Sequence, residues 1–263
     1  MSFTPQELYC MALIQNKTAM YGIPDRMGEH PREKAEEIVD AMLTHHLAEM
    51  DLDGKMFLAE PYAGLVEHYC DCRKCLTVSF QEPGADTQNL VLWERDGRYL
   101  LAQCIRDRFV FSQVNEAMIR VLAEQVVPGG YDLREASEAV IPNSQLQQAK
   151  RACVRNDPAD AVRLLRQNGA EAELAQVIAD GLQEKACSLN LVLMDLTGGA
   201  CQKTEVGFLA GNGHMLELRS TVVNYRSCTV FTPSDTQKLQ QAAAQLAARF
   251  LKKGDSQCPR QSS

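Results

Sequence analysis

His68-Tyr69-Cys70-Asp71-Cys72-Arg73-Lys74-Cys75 is the densest run of chemically capable side chains in the chain. Thiolates and an imidazole are zinc ligands, and Cys72-x-x-Cys75 has ligand spacing. A structural zinc site also needs a second Cys/His pair at loop distance, and none follows. All the candidate ligands sit where a helix hands over to a strand, which crowds a tetrahedral site. Reduced thiols with no bound metal are therefore expected, and no cofactor is implied. His45-His46 falls inside a helical pattern, where neighbours point about 100° apart and do not readily chelate one ion. Asp51-Leu52-Asp53-Gly54-Lys55 begins like a calcium loop, but Tyr62 stands at its twelfth position instead of Glu, so it reads as a turn.

Nucleophile elbows, phosphate loops and dinucleotide fingerprints are missing in their strand–turn–helix context. Thr197-Gly198-Gly199-Ala200 comes nearest to a phosphate loop, and it lacks both the Gly-Lys-Ser/Thr ending and a following helix. A Cys–His pair from Cys70 or Cys75 with His68 is available in composition only. The expectation is a protein that is not an enzyme.

The elements that must position any site come next. The 263 residues are 45% hydrophobic and 23% charged, with a net charge of -7 that argues against a nucleic-acid footprint. Residues 1–126 hold 20 acidic against 12 basic side chains, whereas residues 127–263 hold 14 against 15. The first half is acidic, which suits a partner with basic surface. No apolar run approaches a membrane span, and Met1–Glu7 lacks a basic start and an apolar stretch, so a cytoplasmic location is expected. The ten cysteines in such a chain read as small buried hydrophobes.

Thr4-Pro5-Gln6-Glu7 starts a helix that runs to about Asn16. A second begins near Pro31 with Ala35, Ile38, Val39, Met42, Leu43 and Leu47 on one face, and a third follows Asp53-Gly54 with Leu58, Tyr62, Leu65, Val66 and Tyr69. Strands are expected at Leu76–Phe80, Asn89–Glu94, Tyr99–Ile105 and Phe109–Phe111, with a primed turn at Asp96-Gly97 and a Ser112-capped helix. After Pro128-Gly129-Gly130 the order returns. Helices are punctuated by Ile141-Pro142, Asp157-Pro158 and Asn168-Gly169, and strands fall at Ser188–Leu196, Glu205–Leu209, Met215–Val223 and Cys228–Phe231. Asn212-Gly213 supplies the second primed turn, and Thr232-Pro233-Ser234-Asp235 starts a last helix.

The Asp-Gly and Asn-Gly turns are 116 residues apart, while Phe111-Ser112 and Phe231-Thr232 are 120 apart, a four-residue insertion in the second hairpin. The chain is therefore expected to be an α+β, quasi-two-fold repeat of helices plus an antiparallel β-meander, whose two meanders pair or pack together. Its expected organisation is an N-terminal half at 1–127, a linker at 128–142, a C-terminal half at 143–251 and a disordered tail at 252–263.

Taken in order, several segments resemble the EspG-like chaperones of type VII (ESX) secretion systems, and in particular their Firmicutes-type relatives. These are Phe3-Thr4-Pro5-Gln6-Glu7-Leu8, the helix–Asp-Gly–helix of 33–69, Val127-Pro128-Gly129-Gly130 with Val140-Ile141-Pro142 and Leu146, Leu164–Ala170, and Val230–Asp235 with the final amphipathic helix. The likeness covers roughly residues 3–251. It implies the quasi-two-fold fold and a non-enzymatic cytosolic role: binding a helical secreted protein (WXG100-like, LXG-like or PE/PPE-like) before export, with transient contact to the membrane machinery and no nucleic acid. The helical content ahead of residue 76 is expanded relative to the family, so client contacts do not transfer residue by residue. A metal- or thiol-dependent regulatory module around Cys70–Cys75 is the alternative reading.

A chaperone of this kind must present surface to a client, and longer loops are better placed for that than tight turns. The two longer loops are Gln81–Gln88 and Thr197–Thr204. They give Gln81, Glu82, Pro83, Asp86, Gln88, Thr197, Gln202 and Lys203 as the expected client-binding residues.

Overall fold

Thr4 opens the chain's first helix with a complete capping box. Its Oγ1 accepts from the Glu7 N–H at 3.2 Å, and its own N–H donates to Glu7 Oε2 at 2.6 Å. The computed structural model describes residues 1–24, 31–125, 127, 129–132, 137–198 and 200–252. Parts of the expected linker, Gly199, and all of the expected tail except Lys252 lie outside these residues.

The first half runs β1 (Ser2–Phe3), α1 (Pro5–Ile14), α2 (Pro31–Thr44), β2 (Ala48–Met50), β3 (Met56–Leu58), α3 (Tyr62–Cys70), β4 (Lys74–Gln81), β5 (Gln88–Arg95), β6 (Arg98–Ile105), β7 (Arg108–Val114) and α4 (Glu116–Gln125). The second runs β8 (Ala139–Pro142), α5 (Asn143–Val154), α6 (Pro158–Gln167), α7 (Ala172–Leu182), β9 (Cys187–Asp195), β10 (Gln202–Gly211), β11 (His214–Val223), β12 (Arg226–Ser234) and α8 (Thr236–Leu251). In each half three helices precede a four-strand meander, and one helix closes the unit. The fold is α+β and quasi-two-fold, as its repeated turn chemistry implies.

The two meanders pair. β4 and β9 lie antiparallel, Lys74 opposite Asp195 and Gln81 opposite Ser188, which joins both halves into a ten-stranded sheet of order β1-β7-β6-β5-β4-β9-β10-β11-β12-β8. Four two-residue turns repeat across the pseudo-axis. Asp96-Gly97 and Asn212-Gly213 have positive φ at both positions, and so do Arg106-Asp107 and Asn224-Tyr225. Asn-Gly and Asp-Gly reveal the first pair in sequence; the second pair uses larger residues that carry no such signal. The four-residue insertion is placed by this geometry. β6 and β7 have 8 and 7 residues, while β11 and β12 have 10 and 9, so each strand gains two and the second hairpin reaches farther.

Several expectations are corrected. Ser112 lies within β7, and Asn115 caps α4 instead, its Oδ1 accepting from the Met118 N–H at 3.0 Å. Leu58 belongs to the small β2–β3 hairpin, and the helix starts only at Tyr62. His45 and His46 fall just beyond α2, with His46 at φ 54°. Ala139–Pro142, the end of the expected linker, is an edge strand against Cys228–Phe231. Short edge strands owe their existence to a distant partner, which local patterning does not record.

Directly opposed residues in antiparallel strands share a face. On one face Leu76, Val78, Leu92, Leu191, Leu193, Phe208 and Met215 form a core with Ile119 of α4 and Leu239, Leu246 and Phe250 of α8. The other face carries two separate helical caps. Helices α1–α3 cover Cys75, Val91, Trp93, Leu100 and Phe109, while α5–α7 cover Ile141, Leu209, Leu216 and Phe231. Between the caps no helix of the described residues covers the centre of that face.

Candidate functional site

The uncovered centre is a trough that follows β4 and β9. Its floor is fixed by register: Thr77 stands opposite Val192 and Ser79 opposite Asn190 across the seam, with Asn89 of β5 beside Ser79. On the other side Glu205 and Gly207 of β10 stand opposite Val192 and Asn190. These are polar or small residues where the flanking strands carry Trp93, Leu209 and Phe231. Alternation explains the contrast, since this stretch has a helix-covered core on one face and solvent on the other.

The floor is internally hydrogen-bonded. Ser79 Oγ donates to Asn89 Oδ1 at 2.7 Å, Thr77 Oγ1 to the Val192 carbonyl at 3.4 Å, and Asn190 Nδ2 to Glu205 Oε1 at 3.4 Å. Asn190 Oδ1 is buried without a partner. Two concavities open on either side of the seam. One, of about 660 Å³, is lined by Ile23, Thr77, Ser79, Asn89, Val91 and Phe109; the other, of about 560 Å³, by Ser188, Asn190, Glu205, Leu218, Arg219 and Thr229. Counting from the equivalent turns, Asn89 matches Glu205 and Val91 matches Gly207, so the two concavities are pseudo-symmetric counterparts. Gly22, at φ 77°, closes the first against the sheet: a Cβ there would stand 2.5 Å from Val91 Cγ1.

The expected client-binding residues fall into two groups at opposite ends of this trough. Glu82, Pro83 and Asp86 occupy the β4–β5 connection, with Gln81 the last residue of β4 and Gln88 the first of β5, beside the end of α7, where Gly84 N–H donates to the Glu184 carbonyl at 3.0 Å. Gln81 Nε2 donates to the Ala85 carbonyl at 3.2 Å. Thr197 lies in the β9–β10 connection at the other end, whereas Gln202 and Lys203, expected in that loop, are the first residues of β10 and pair with Asp195 and Met194. Thr197 donates through N–H and Oγ1 to Asp195 Oδ1 at 3.1 and 2.6 Å, and Lys203 pairs with Glu205 at 2.6 Å. The eight residues of β4 separate the two groups by about 25 Å at a strand rise of roughly 3.3 Å. The structure does not gather them into one patch. It sets them as the two mouths of the trough.

The floor residues Thr77, Ser79, Asn89, Asn190 and Glu205 went unrecognised in the sequence. The available signal was the polar alternation inside β4 and β9, but which strand β4 would meet is a non-local fact. The exposed tip of the longer hairpin, with Val222, Val223 and a fully exposed Tyr225, was equally hidden.

The cysteine run is packed into the first-half core. Cys70, Cys72 and Cys75 are buried free thiols. Burial pushes the Cys70 and Cys72 thiols up to about 12 and Cys75 well above its ordinary value, which keeps all three protonated near neutrality. Burial lowers the affinity of His68 for a proton. Among the described residues no three His, Cys, Asp or Glu side chains come together in an arrangement that could hold a metal ion. Among them, too, no helix is long and apolar enough to cross a membrane.

No family model and no curated protein matches the sequence. Among the solved structures that share the fold is that of the Mycobacterium tuberculosis type VII secretion system chaperone EspG5 in complex with a PE25–PPE41 dimer. It matches with a TM-score of 0.53 at 12% identity, over 97% of this chain and 98% of that one. At this identity the likeness speaks for the fold.

Proposed function

We propose that this chain is a cytoplasmic, non-enzymatic chaperone of a type VII secretion system. It would be a Firmicutes-type relative of the EspG-like proteins that holds a helical secreted protein, WXG100-like, LXG-like or PE/PPE-like, before export. The observation that carries the reading is the end-to-end likeness of fold to a chaperone solved with its client. The trough supports it. At 1.5 Å per residue, a channel of about 25 Å takes about 17 residues of helix. A client helix laid along β4 and β9 reaches both mouths, so one occupant can touch Gln81–Gln88 and Thr197–Thr204 without the loops being adjacent. The polar floor is compatible with solubility when the trough is empty. The buried, protonated thiols give the regulatory-module reading no comparable support.

The experiment is co-expression with each small helical secretion candidate encoded nearby. One of them should co-purify. Replacing Gln81–Gln88 by a short Gly-Ser connection should abolish that capture while the melting transition hardly moves, because the loop is exposed. Unimpaired capture after both loops have been replaced would move the client away from the trough mouths. Failure of every candidate to bind would sink the chaperone reading.

A further inference from the structure

The β2–β3 hairpin is rooted in the first-half core through Ala48 and Leu58, but its outer side chains form an apolar finger that the core does not use. Met50 and Phe57 are exposed, and Leu52, at its tip, has 108% relative exposure. The second half has no counterpart to this hairpin, so the repeated frame does not require it. The stretch 31–60 that includes it holds eight acidic and three basic residues, and all eight carboxylates, from Glu33 to Glu60, are exposed. This stretch therefore carries -5 of the chain's net charge of -7, with Glu49, Asp51 and Asp53 on the finger itself.

The pseudo-equivalent cap has the opposite character. Residues 143–167, which span α5, α6 and their connection, hold five basic side chains against Asp157 and Asp160. Lys150, Arg151 and Val154 share one side of α5 by their three- and four-residue spacing. All three are exposed, Val154 to 79%. The first cap thus combines several bare apolar side chains with negative charge, and the second combines one, Val154, with positive charge.

We propose that these two surfaces are the halves of one contact between two copies of this chain, the finger of each seated on the α5–α6 surface of the other. A two-fold axis lying in the contact plane parallel to the seam sets the acidic cap of each copy against the basic cap of its mate. The same self-complementary contact is then made twice, as a closed dimer requires. Both caps stand on the face that carries the trough, so this pairing covers both troughs. That consequence rests on the chaperone reading; the dimer itself does not.

Sedimentation velocity of the client-free full chain tests it. At about 0.05 M salt the chain should sediment as a dimer, and at about 0.5 M, where screening shortens the reach of charge, as a monomer. Glu49→Lys with Asp53→Lys, and separately Lys150→Glu with Arg151→Glu, should each weaken dimerisation at least about tenfold. Mixing the two variants restores unlike charges at both contacts, so a heterodimer should form. Unchanged melting of each variant shows that it folds. A wild-type monomer at low salt and about 0.1 mM chain, well above the micromolar range of ordinary weak association, overturns the proposal. So do variants that dimerise as wild type does, or a mixture that stays monomeric.

Discussion

The two halves share strand order and turn geometry yet fill the same face differently. In the first, Trp93 is fully buried, stacked on Phe111 at 5.9 Å and tilted against Tyr69 at 6.2 Å, with its Nε1 donating to the Tyr21 carbonyl at 2.8 Å. In the second, the matching position is Leu209, packed so tightly under α7 that a Cβ on Gly181 would stand 2.5 Å from its Cδ1. Alanines 149, 152, 161, 175 and 179 line that core. One β-frame therefore accepts either a few large rings under loosely spaced helices or many small side chains under close ones.

Truncation of these two residues tests the comparison with the largest effects. Trp93→Ala removes ring contacts and orphans the Tyr21 carbonyl, and should lower stability by about 3–5 kcal/mol; Leu209→Ala should lower it by about 2–4 kcal/mol. Equilibrium urea unfolding reads both. A larger loss at Leu209 would mean that the aromatic cluster does not anchor the first half.

Lys74 marks a second difference. It is buried, and its Nζ donates to the carbonyls of Arg249 at 2.8 Å, Phe250 at 3.4 Å and Lys252, capping the C-terminus of α8. The matching position in β9 is Cys187. Lys74→Met keeps the stem and deletes the donor, which should lower stability by about 1–3 kcal/mol and speed amide exchange in the last turn of α8. Unchanged exchange there would show that the helix end is held by packing alone.

Thiol chemistry separates the halves at a smaller scale. Cys201 is exposed, while Cys70 and Cys72 are buried with raised pKa values. Alkylation followed by mass spectrometry should label Cys201 in the folded chain and the buried pair only on unfolding. In the folded chain Cys70 and Cys72 still hold their protons where an unfolded thiol has lost its own. Their contribution to stability is thus complete below pH 9.0 and falls as pH rises toward about 12. Stability that rose over that window would contradict the burial.

What could be read from the sequence was local. The capping box at Thr4–Glu7, the Asp-Gly and Asn-Gly turns and the helical stripes are short-range chemistry, and their repetition disclosed the quasi-two-fold plan. β1, β8 and the β4–β9 register depend on partners far along the chain. The trough exists only because of that register. Its two mouths were therefore legible as loops, whereas Ser79, Asn89 and Asn190 between them were not legible as a floor.

The smallest predicted effect concerns the tips of the pseudo-equivalent hairpins. Asp107 and Tyr225 hold φ of 60° and 61° at the second position of primed turns, where glycine fits without strain. Tyr225 is fully exposed and buries nothing that would offset this conformation. Tyr225→Gly should therefore raise stability by about 0.5–1 kcal/mol, measured by thermal or urea unfolding, while Asp107→Gly, which also gives up a side-chain interaction, should gain less. A loss at Tyr225 alone would show that its ring makes a stabilising contact, and would break the equivalence of the two turns. With the predicted gain, retention of an aromatic ring at a strained, exposed tip points to a use outside folding, and co-purification of a client with the Tyr225→Gly chain then sharpens the contrast. Weakened capture would place the longer hairpin at the client, and undiminished capture would leave its two extra residues per strand as a difference of length alone.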